Sequence, residues 1–421
     1  MSSLSSQSSQ SSQSDQVTPT DQTIKALPKR LIVLLAATSA MGPAAMQILL
    51  PALPVIKESF AVSTDVAQLT LSLSMLAIAF GTLAYGPLSD KYGRKPVMLA
   101  GLIITLGGSL LCLFANSIET LIMARFIQAF GGAVGLVLAR AIVRDVYGAE
   151  EAARVIATLV MVMVVIPMLS PALGGELMTR FGWHSVFVVI AAATFLIMLL
   201  LARELPETLK EPVPFAGVSA MLGTFATLLK APAFRGYALC VAFVSVVFFS
   251  FISAAPEIMV SVLDRPATEY GYYFIMIPAG FMSGNYFARH YGRSMDVNRM
   301  IALGATIALA GISLAVALQV LGFHQPWALF APISLAVFGN GITLPNAQAA
   351  AINEFPQYAG SASGLTGFLQ MGFSAIAAQS VAVIFNGTVY PLLTLMFLAS
   401  LASMIFFRMG VVTHSPAPVA E

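Results

Sequence analysis

The sequence predicts an all-α integral membrane protein of twelve transmembrane helices, six on each side of a central connector. Charged residues make up 10% of the 421, against about 25% in a typical soluble domain. The hydrophobic share is 58% and the mean hydropathy +0.86, a composition that does not cover a soluble globule. Runs of about 20 mainly apolar residues, each long enough to cross a bilayer as a helix, recur along the chain. A polar, proline-containing stretch interrupts them midway. The net charge of +2 is a small difference between 21 cations and 19 anions, so it indicates no nucleic-acid partner. Cys112 and Cys240 lie inside apolar runs in different halves, which points to neither a disulfide framework nor a metal cluster.

Residues 1–23 are Ser/Gln-rich with almost no apolar side chains and are expected to form a disordered cytoplasmic tail. Lys29-Arg30 followed by Leu31-Ile-Val-Leu-Leu35 imitates a signal peptide, but the apolar character runs on through Leu50, a full spanning length. The first bundle, 24–203, holds spans at about 31–52, 66–85, 97–115, 121–140, 154–177 and 183–202. A connector follows at 204–235, carrying Pro206-Glu207 and Pro212-Val-Pro214, with a stretch from Ser219 to Leu229 suited to a helix along the membrane surface. The second bundle, 236–408, holds spans at about 236–257, 270–288, 299–321, 326–350, 359–384 and 389–408, and 409–421 form a cytoplasmic tail. With the N-terminus inside, the outer segments hold only Lys57, Arg180 and Arg265 of the 21 cations. Arg125 lies within a span and the others fall on inner segments, so both termini are expected in the cytoplasm.

Between spans two and three stands Gly86-Pro-Leu-Ser-Asp90-Lys91-Tyr-Gly93-Arg94-Lys95, read as a charged, tightly turned loop at the inner face. Its pattern, Gly-x-x-x-Asp-Lys-x-Gly-Arg-Lys, resembles the corresponding loop of the major facilitator superfamily of transporters. Tyr92-Gly93-Arg94 recurs after span eight as Tyr291-Gly292-Arg293, with Asn285 in place of Gly86 and Arg289 in place of Asp90. The resemblance implies two pseudo-symmetric six-helix bundles with substrate bound between them near the bilayer midplane. It also implies a conformational latch of Gly86, Asp90, Lys91, Gly93, Arg94 and Lys95, with Asp90 near the inner end of span eleven.

Arg125 opens span four, where a charge in hydrocarbon is costly. It either faces a protein interior or water-filled cavity with a partner, or snorkels to the outer face. Gln128, three residues on, shares its helix face. The pair resembles the family's fourth-span Arg-x-x-Gln-Gly, with Ala129 at the usual Gly. Pro167, Ser170, Pro171, Gly174 and Gly175 in span five resemble its antiporter motif, Gly-Pro-x-x-Gly-Gly, which implies an exporter. Leu50-Pro-Ala-Leu-Pro54, Gly339-Asn340-Gly341-Ile-Thr-Leu-Pro345-Asn346 and Ala359 to Gln370 look like the Bcr/CflA multidrug-efflux branch of the drug:proton antiporters. This likeness runs from Ile24 to Arg408. In span seven Ser250, Ser253 and Glu257 form one helical stripe, which the resemblance implies faces the central cavity, unless Glu257 is a solvated outer helix end.

The resulting reading is a non-enzymatic secondary transporter of the inner membrane that exports drugs or other small amphipathic molecules by alternating access, coupled to protons. Gln47, Arg125, Gln128, Ser250, Ser253, Glu257, Asn340 and Asn346 are assigned to the substrate or proton pathway. Its partners are a small-molecule substrate, protons and the lipid bilayer. No cofactor or metal is called for, and a monomer is expected. The alternatives are an importer or uniporter of one metabolite on the same fold, a membrane-embedded enzyme, and a transport-dead sensor or scaffold. All 4 histidines fall in expected loops or the tail, which disfavours the enzyme. One departure from the branch stands out: an Asp is usual four residues before the first proline of Leu50-Pro-Ala-Leu-Pro54, and this chain has Gln47, which does not titrate. At about 1.5 Å rise per residue Gln47 and Arg125 fall at similar depth, leaving Glu257 or Glu176 as the counter-charge expected for Arg125.

Overall fold

The computed structural model of the chain describes residues 27–209, 217–292, 294–355 and 358–412. The tail at 1–23, most of the C-terminal tail, Pro212, Pro214 and Arg293 lie outside the described residues. Two prolines shape the first crossing. Helix α1 (Lys29–Gln47) stops because Pro51 has no N–H to offer the Gln47 carbonyl. The chain then passes through a 3₁₀ turn, Leu50–Ala52, into α2 (Leu53–Ser59), with Pro54 in its first turn. Helices α3 (Thr64–Tyr92) and α4 (Arg94–Leu113) follow.

Helix α5 (Ile118–Phe181) runs 64 residues, capped by the Ser117 hydroxyl, which accepts from the Thr120 N–H at 3.2 Å. It covers the two expected spans 121–140 and 154–177 without a loop, because the Ala- and Glu-rich stretch between them contains no helix breaker apart from Gly148. It is not straight. Arg140 Nη2 lies 3.9 Å from Met163 Sδ, a separation of 23 residues that a straight helix would stretch to about 35 Å. The helix therefore folds back into two antiparallel arms, and both crossings are kept.

After α6 (His184–Glu204), helix α7 (Val218–Lys230) fills the expected surface-helix position. It buries Phe225 and Leu228 and leaves Leu222 exposed. The second half comprises α8 (Pro232–Ser261), α9 (Ala267–Phe274), α10 (Met276–Tyr291), α11 (Val297–Val320), α12 (Pro326–Asn353), α13 (Ala359–Ile384) and α14 (Tyr390–Val412). Among the described residues 10 helices are long and apolar enough to cross a membrane. The other two of the twelve crossings are the returning arm of α5 and the α9–α10 pair, which divides at Ile275. Because successive crossings alternate, the bundle has a near face, where α1 begins and α14 ends, and a far face opposite it.

The expected loop at Gly86–Lys95 is almost entirely helical. Helix α3 continues through Gly86, Asp90 and Lys91 to Tyr92, and only Gly93 breaks it, with φ of 100°. Gly93 is thus the turn. A Cβ on Gly86 would meet nothing within 4 Å, so this glycine permits neither a turn nor a close approach. The repeat differs again: Gly292 has φ of −65°, an ordinary right-handed value, and makes no such turn.

Candidate functional site

The end of α1 builds the first candidate site. A helix terminus leaves its last carbonyls without intrahelical donors, and the Pro51 break sets that terminus inside the bundle rather than at its surface. Arg125, on the first arm of α5, fills the gap by donating from Nη1 to the Ala45 carbonyl at 3.1 Å. The same nitrogen donates to Gln128 Oε1, Gln128 Nε2 donates to Ser109 Oγ at 2.8 Å, and Ser109 donates to the Thr105 carbonyl at 2.7 Å. Arg125 is 1% exposed, so it does not snorkel. Its Nε has no partner, and neither has Oε1 of buried Gln47, two residues beyond Ala45.

Neither expected counter-charge reaches Arg125. Glu257 is held by Lys57 at 2.6 Å, and Glu176 by Arg180 at 3.1 Å and the Tyr272 hydroxyl at 3.3 Å. Both carboxylates belong to the far face, where cations of their own wait. Similar depth along the helices does not bring these side chains together, because the direction of each is decided by the helix it faces.

At that far face the halves are joined by polar contacts. Lys57 of α2 pairs with Glu257 of α8, whose side chain is only 12% exposed, and Ser261 also donates to Glu257 at 2.9 Å. Glu257 is therefore not a solvated helix end. Gln379 of α13 donates to the Asp65 carbonyl at 2.9 Å and accepts from Ser72 at 2.8 Å, both on α3. Lys57, Thr64, Gln68, Ser253 and Glu257 line a small cleft beside the ion pair, and Nε2 of buried Gln68 has no partner there. Deeper in the seam the aromatic rings of Phe80 and Phe368 stand 5.7 Å apart.

The returning arm of α5 lies between the halves. A Cβ on Gly174 would stand 2.0 Å from the Ile48 carbonyl oxygen, and one on Gly271 of α9 would stand 2.7 Å from Ala172 Cα. Pro167, Pro171 and Gly175 are buried in the same arm. Ser250 and Ser253 are buried on α8, with the Ser250 hydroxyl unpartnered. Asn340 donates to the Val244 carbonyl at 3.4 Å, tying α12 to α8, and Asn346 donates back to its own helix at Ile342, 2.7 Å away. These two asparagines are not brought to Arg125 or to Glu257.

At the near face Arg94 pairs with Asp90 at 2.5 Å and Asp145 at 2.8 Å and donates to Ser89 Oγ at 2.7 Å. Asp90 thus turns to Arg94 rather than to the start of α13. Lys91 lies over the Tyr92 ring instead of joining this group. Glu207, from the connector, accepts from the backbone N–H groups of Arg94 at 2.9 Å and Lys95 at 3.1 Å and fills the space a Gly93 Cβ would need. Burial pushes the Glu207 carboxyl up, but backbone donors of Leu209, Arg94, Lys95 and Thr208 outweigh it and hold it below its ordinary value. A depressed acid stabilises the fold above its unfolded pKa and ceases to do so as pH falls through its folded one. Hydrogen exchange at the Arg94 and Lys95 amides, corrected for intrinsic rates, should therefore lose protection below about pH 4.3, the ordinary Glu value. Glu207→Gln should remove that dependence.

Lys57, Gln68, Gln379, Asp145 and Glu207 are the residues that sequence reasoning missed as site members. Lys57 carried a signal as one of the few outer cations, and Gln379 as an amide deep in an apolar run.

The sequence profile described as the Major Facilitator Superfamily matches residues 35–379. The chain is 31% identical to an uncharacterized MFS-type transporter, YdgK, of Bacillus subtilis, over 89% of this chain and 94% of that one. It is 29% identical to the bicyclomycin resistance protein homolog of Haemophilus influenzae, over 86% and 91%. It is 29% identical to multidrug resistance protein D of Escherichia coli, over 87% and 92%. Among solved structures it is similar to a bacterial homolog of the human lysosomal transporter Spinster, inward-facing and occupied, with a TM-score of 0.70 and 16% identity over 92% of this chain and 99% of that one. At that identity the likeness concerns the fold alone.

Proposed function

Because the chain belongs to the Major Facilitator Superfamily, we propose that this transporter exports drugs or other small amphipathic molecules across the inner membrane by alternating access, driven by protons. The bicyclomycin-resistance and multidrug-resistance names of its relatives support export. The observation that carries alternating access is the closure of the far face by Lys57–Glu257, Gln379–Asp65 and Glu176–Tyr272, contacts that must all part for that face to open. By the positive-inside rule the near face is cytoplasmic, so the face these contacts close is the outer one. The test is flux in proteoliposomes over a panel of drugs and metabolites, with and without a proton gradient. Gradient-driven export of several unrelated compounds is expected. Inward accumulation of a single metabolite would favour the importer instead.

Gln47 does not titrate, so the proton is assigned to Glu257. Protonated from the far side, Glu257 releases Lys57 and frees α8 from α2. Glu257→Gln should leave transport insensitive to the proton gradient. Proton-driven export that survives this substitution would overturn the assignment.

Asp90 is proposed as the near-face latch. Its pair with Arg94 is 43% exposed on the Asp side and so worth at most about 1 kcal/mol to the fold. Helix α13 begins at Ala359 without a side-chain cap, and its positive end suits an anion when the near face closes. Asp90→Asn should cut transport and raise near-face cysteine labelling at near-normal abundance. Unchanged labelling and transport would leave Asp90 only its bond to Arg94.

A further inference from the structure

Beside the far-face ion pair lies a place for a bound water, and we propose that this water, positioned by Gln68, hands the proton to Glu257 while that face is still closed. The proposal rests on the assignment of the proton to Glu257. Two polar atoms there need a partner. Lys57 and Ser261 both donate to Oε1 of Glu257, at 2.6 and 2.9 Å, and among the described residues nothing donates to its Oε2. Gln68 is 5% exposed and its Nε2 has no partner. Groups so shielded from bulk water are costly to leave unsatisfied. One space serves both. Gln68 and Glu257 line two neighbouring hollows, which also share Thr64 and Ser253 and measure about 10 and 20 Å³. A water needs about 10–15 Å³ and two to four polar partners, so the place takes one or two waters and is too small for a drug.

The residue types set the direction of the hydrogen bonds. An amide nitrogen only donates, so the water accepts from Gln68 Nε2 and turns its own hydrogens away, towards Glu257 Oε2 and a hydroxyl. Ser253 Oγ donates its hydrogen to the Ser250 carbonyl at 3.0 Å and is left to accept, whereas Thr64 Oγ1 already accepts from Lys57 at 3.4 Å. In the transfer one O–H bond of the water breaks as an O–H bond forms on Oε2. The water takes a replacement proton from far-face solvent, past Lys57 and Thr64, which are half-buried where Gln68 and Ser253 are buried. The carboxylate becomes a neutral acid, and Lys57, still an ammonium, loses its charge partner. No other charge intervenes. Among the described residues lining the hollows, α3 offers Thr64 and Gln68, α13 only apolar groups such as Ala378 and Ala382, and α9 none.

The test uses the full-length protein, in crystals with the far face closed and in lipid nanodiscs. A crystal structure fine enough to show ordered water should find one between the Gln68 amide and Glu257. None should stand there in Gln68→Met, which keeps the length of the side chain and removes its donor. Opening of the far face is followed against pH by the distance between spin labels at Ser59→Cys of α2 and Val383→Cys of α13, both exposed, while Cys112 and Cys240 are buried. The parent should open as pH falls, and Glu257→Gln should not respond. A water bonded to Oε2 favours the charged carboxylate, so Gln68→Met, which loses it, should open at a pH about one unit higher. If that variant does not fold, Ser253→Ala, which removes the water's other acceptor, should shift the midpoint the same way. No water at that place in the parent, or a midpoint that stays put, overturns the inference. A role of Gln68 confined to packing alters stability and leaves the midpoint where it was. A parent whose distance ignores pH, or a response that survives Glu257→Gln, would instead remove the proton assignment, and this inference with it.

Discussion

Alanine at Gly174 is expected to abolish gradient-driven export and leave a passive leak, and valine to do so more severely. The first added atom would stand 2.0 Å from the Ile48 carbonyl oxygen, a backbone atom with no rotamer to yield. Overpacking costs about 1–3 kcal/mol when side chains and backbone shift to absorb it, and here α1 and the returning arm of α5 must separate. The contact sits at the end of α1, three residues past the carbonyl that receives Arg125, so the separation also loosens that buried site. On its other side the same arm touches α9 across Ala172 and Gly271, and the opening therefore reaches the seam between the halves. A dye-retention assay on proteoliposomes, paired with export, separates leak from lost affinity. Gly86→Ala is the control: with nothing within 4 Å of its Cβ and a helical backbone, it should be tolerated or stabilise by up to about 1 kcal/mol. Normal export and a tight membrane in Gly174→Ala would mean that this approach is not part of the seal.

Why Arg125 is legible in the sequence and its partner is not follows from how each arises. A charge inside an apolar run has no inexpensive environment, so its burial announces a site. The Ala45 carbonyl is reached because α1 ends two residues beyond it and docks on α5, and docking is not written in any local pattern. Glu257 and Lys57 were both visible as charges near outer helix ends, but they lie 200 residues apart and only the folded bundle pairs them. The fold class rests on hydropathy, which bilayer thickness makes unambiguous, and so it is recovered throughout. Boundaries fail where the lipid constraint is silent: between the arms of α5, where helix formers carry the helix through the turn, and at Gly86, where a motif glycine sits in an uninterrupted helix.

Reversing one charge at the far face should open it, and reversing both should close it again. In Lys57→Glu two carboxylates would meet where Lys57 and Glu257 now stand 2.6 Å apart, and the like charges must separate. The pair is mostly shielded from solvent, at 26% and 12% exposure, so it is worth more than a surface ion pair. At about 2 kcal/mol, within the range for hydrogen bonds to charged groups, its loss shifts the balance of closed to open by about thirtyfold. Cys112 and Cys240 are both buried, so a single cysteine placed at Gln68, beside the pair and buried when the face is closed, reports opening by its labelling rate. Labelling should rise in Lys57→Glu and in Glu257→Lys and fall back towards the parent in the double variant, since the interaction belongs to the pair rather than to either residue. Export should follow the same order, lost in each single variant and partly regained in the double. Should the singles label no faster than the parent, or the double label as fast as the singles, the far face is held by Gln379 and the α5–α9 contact instead, and Glu257 loses its claim to be the group through which a proton opens the transporter.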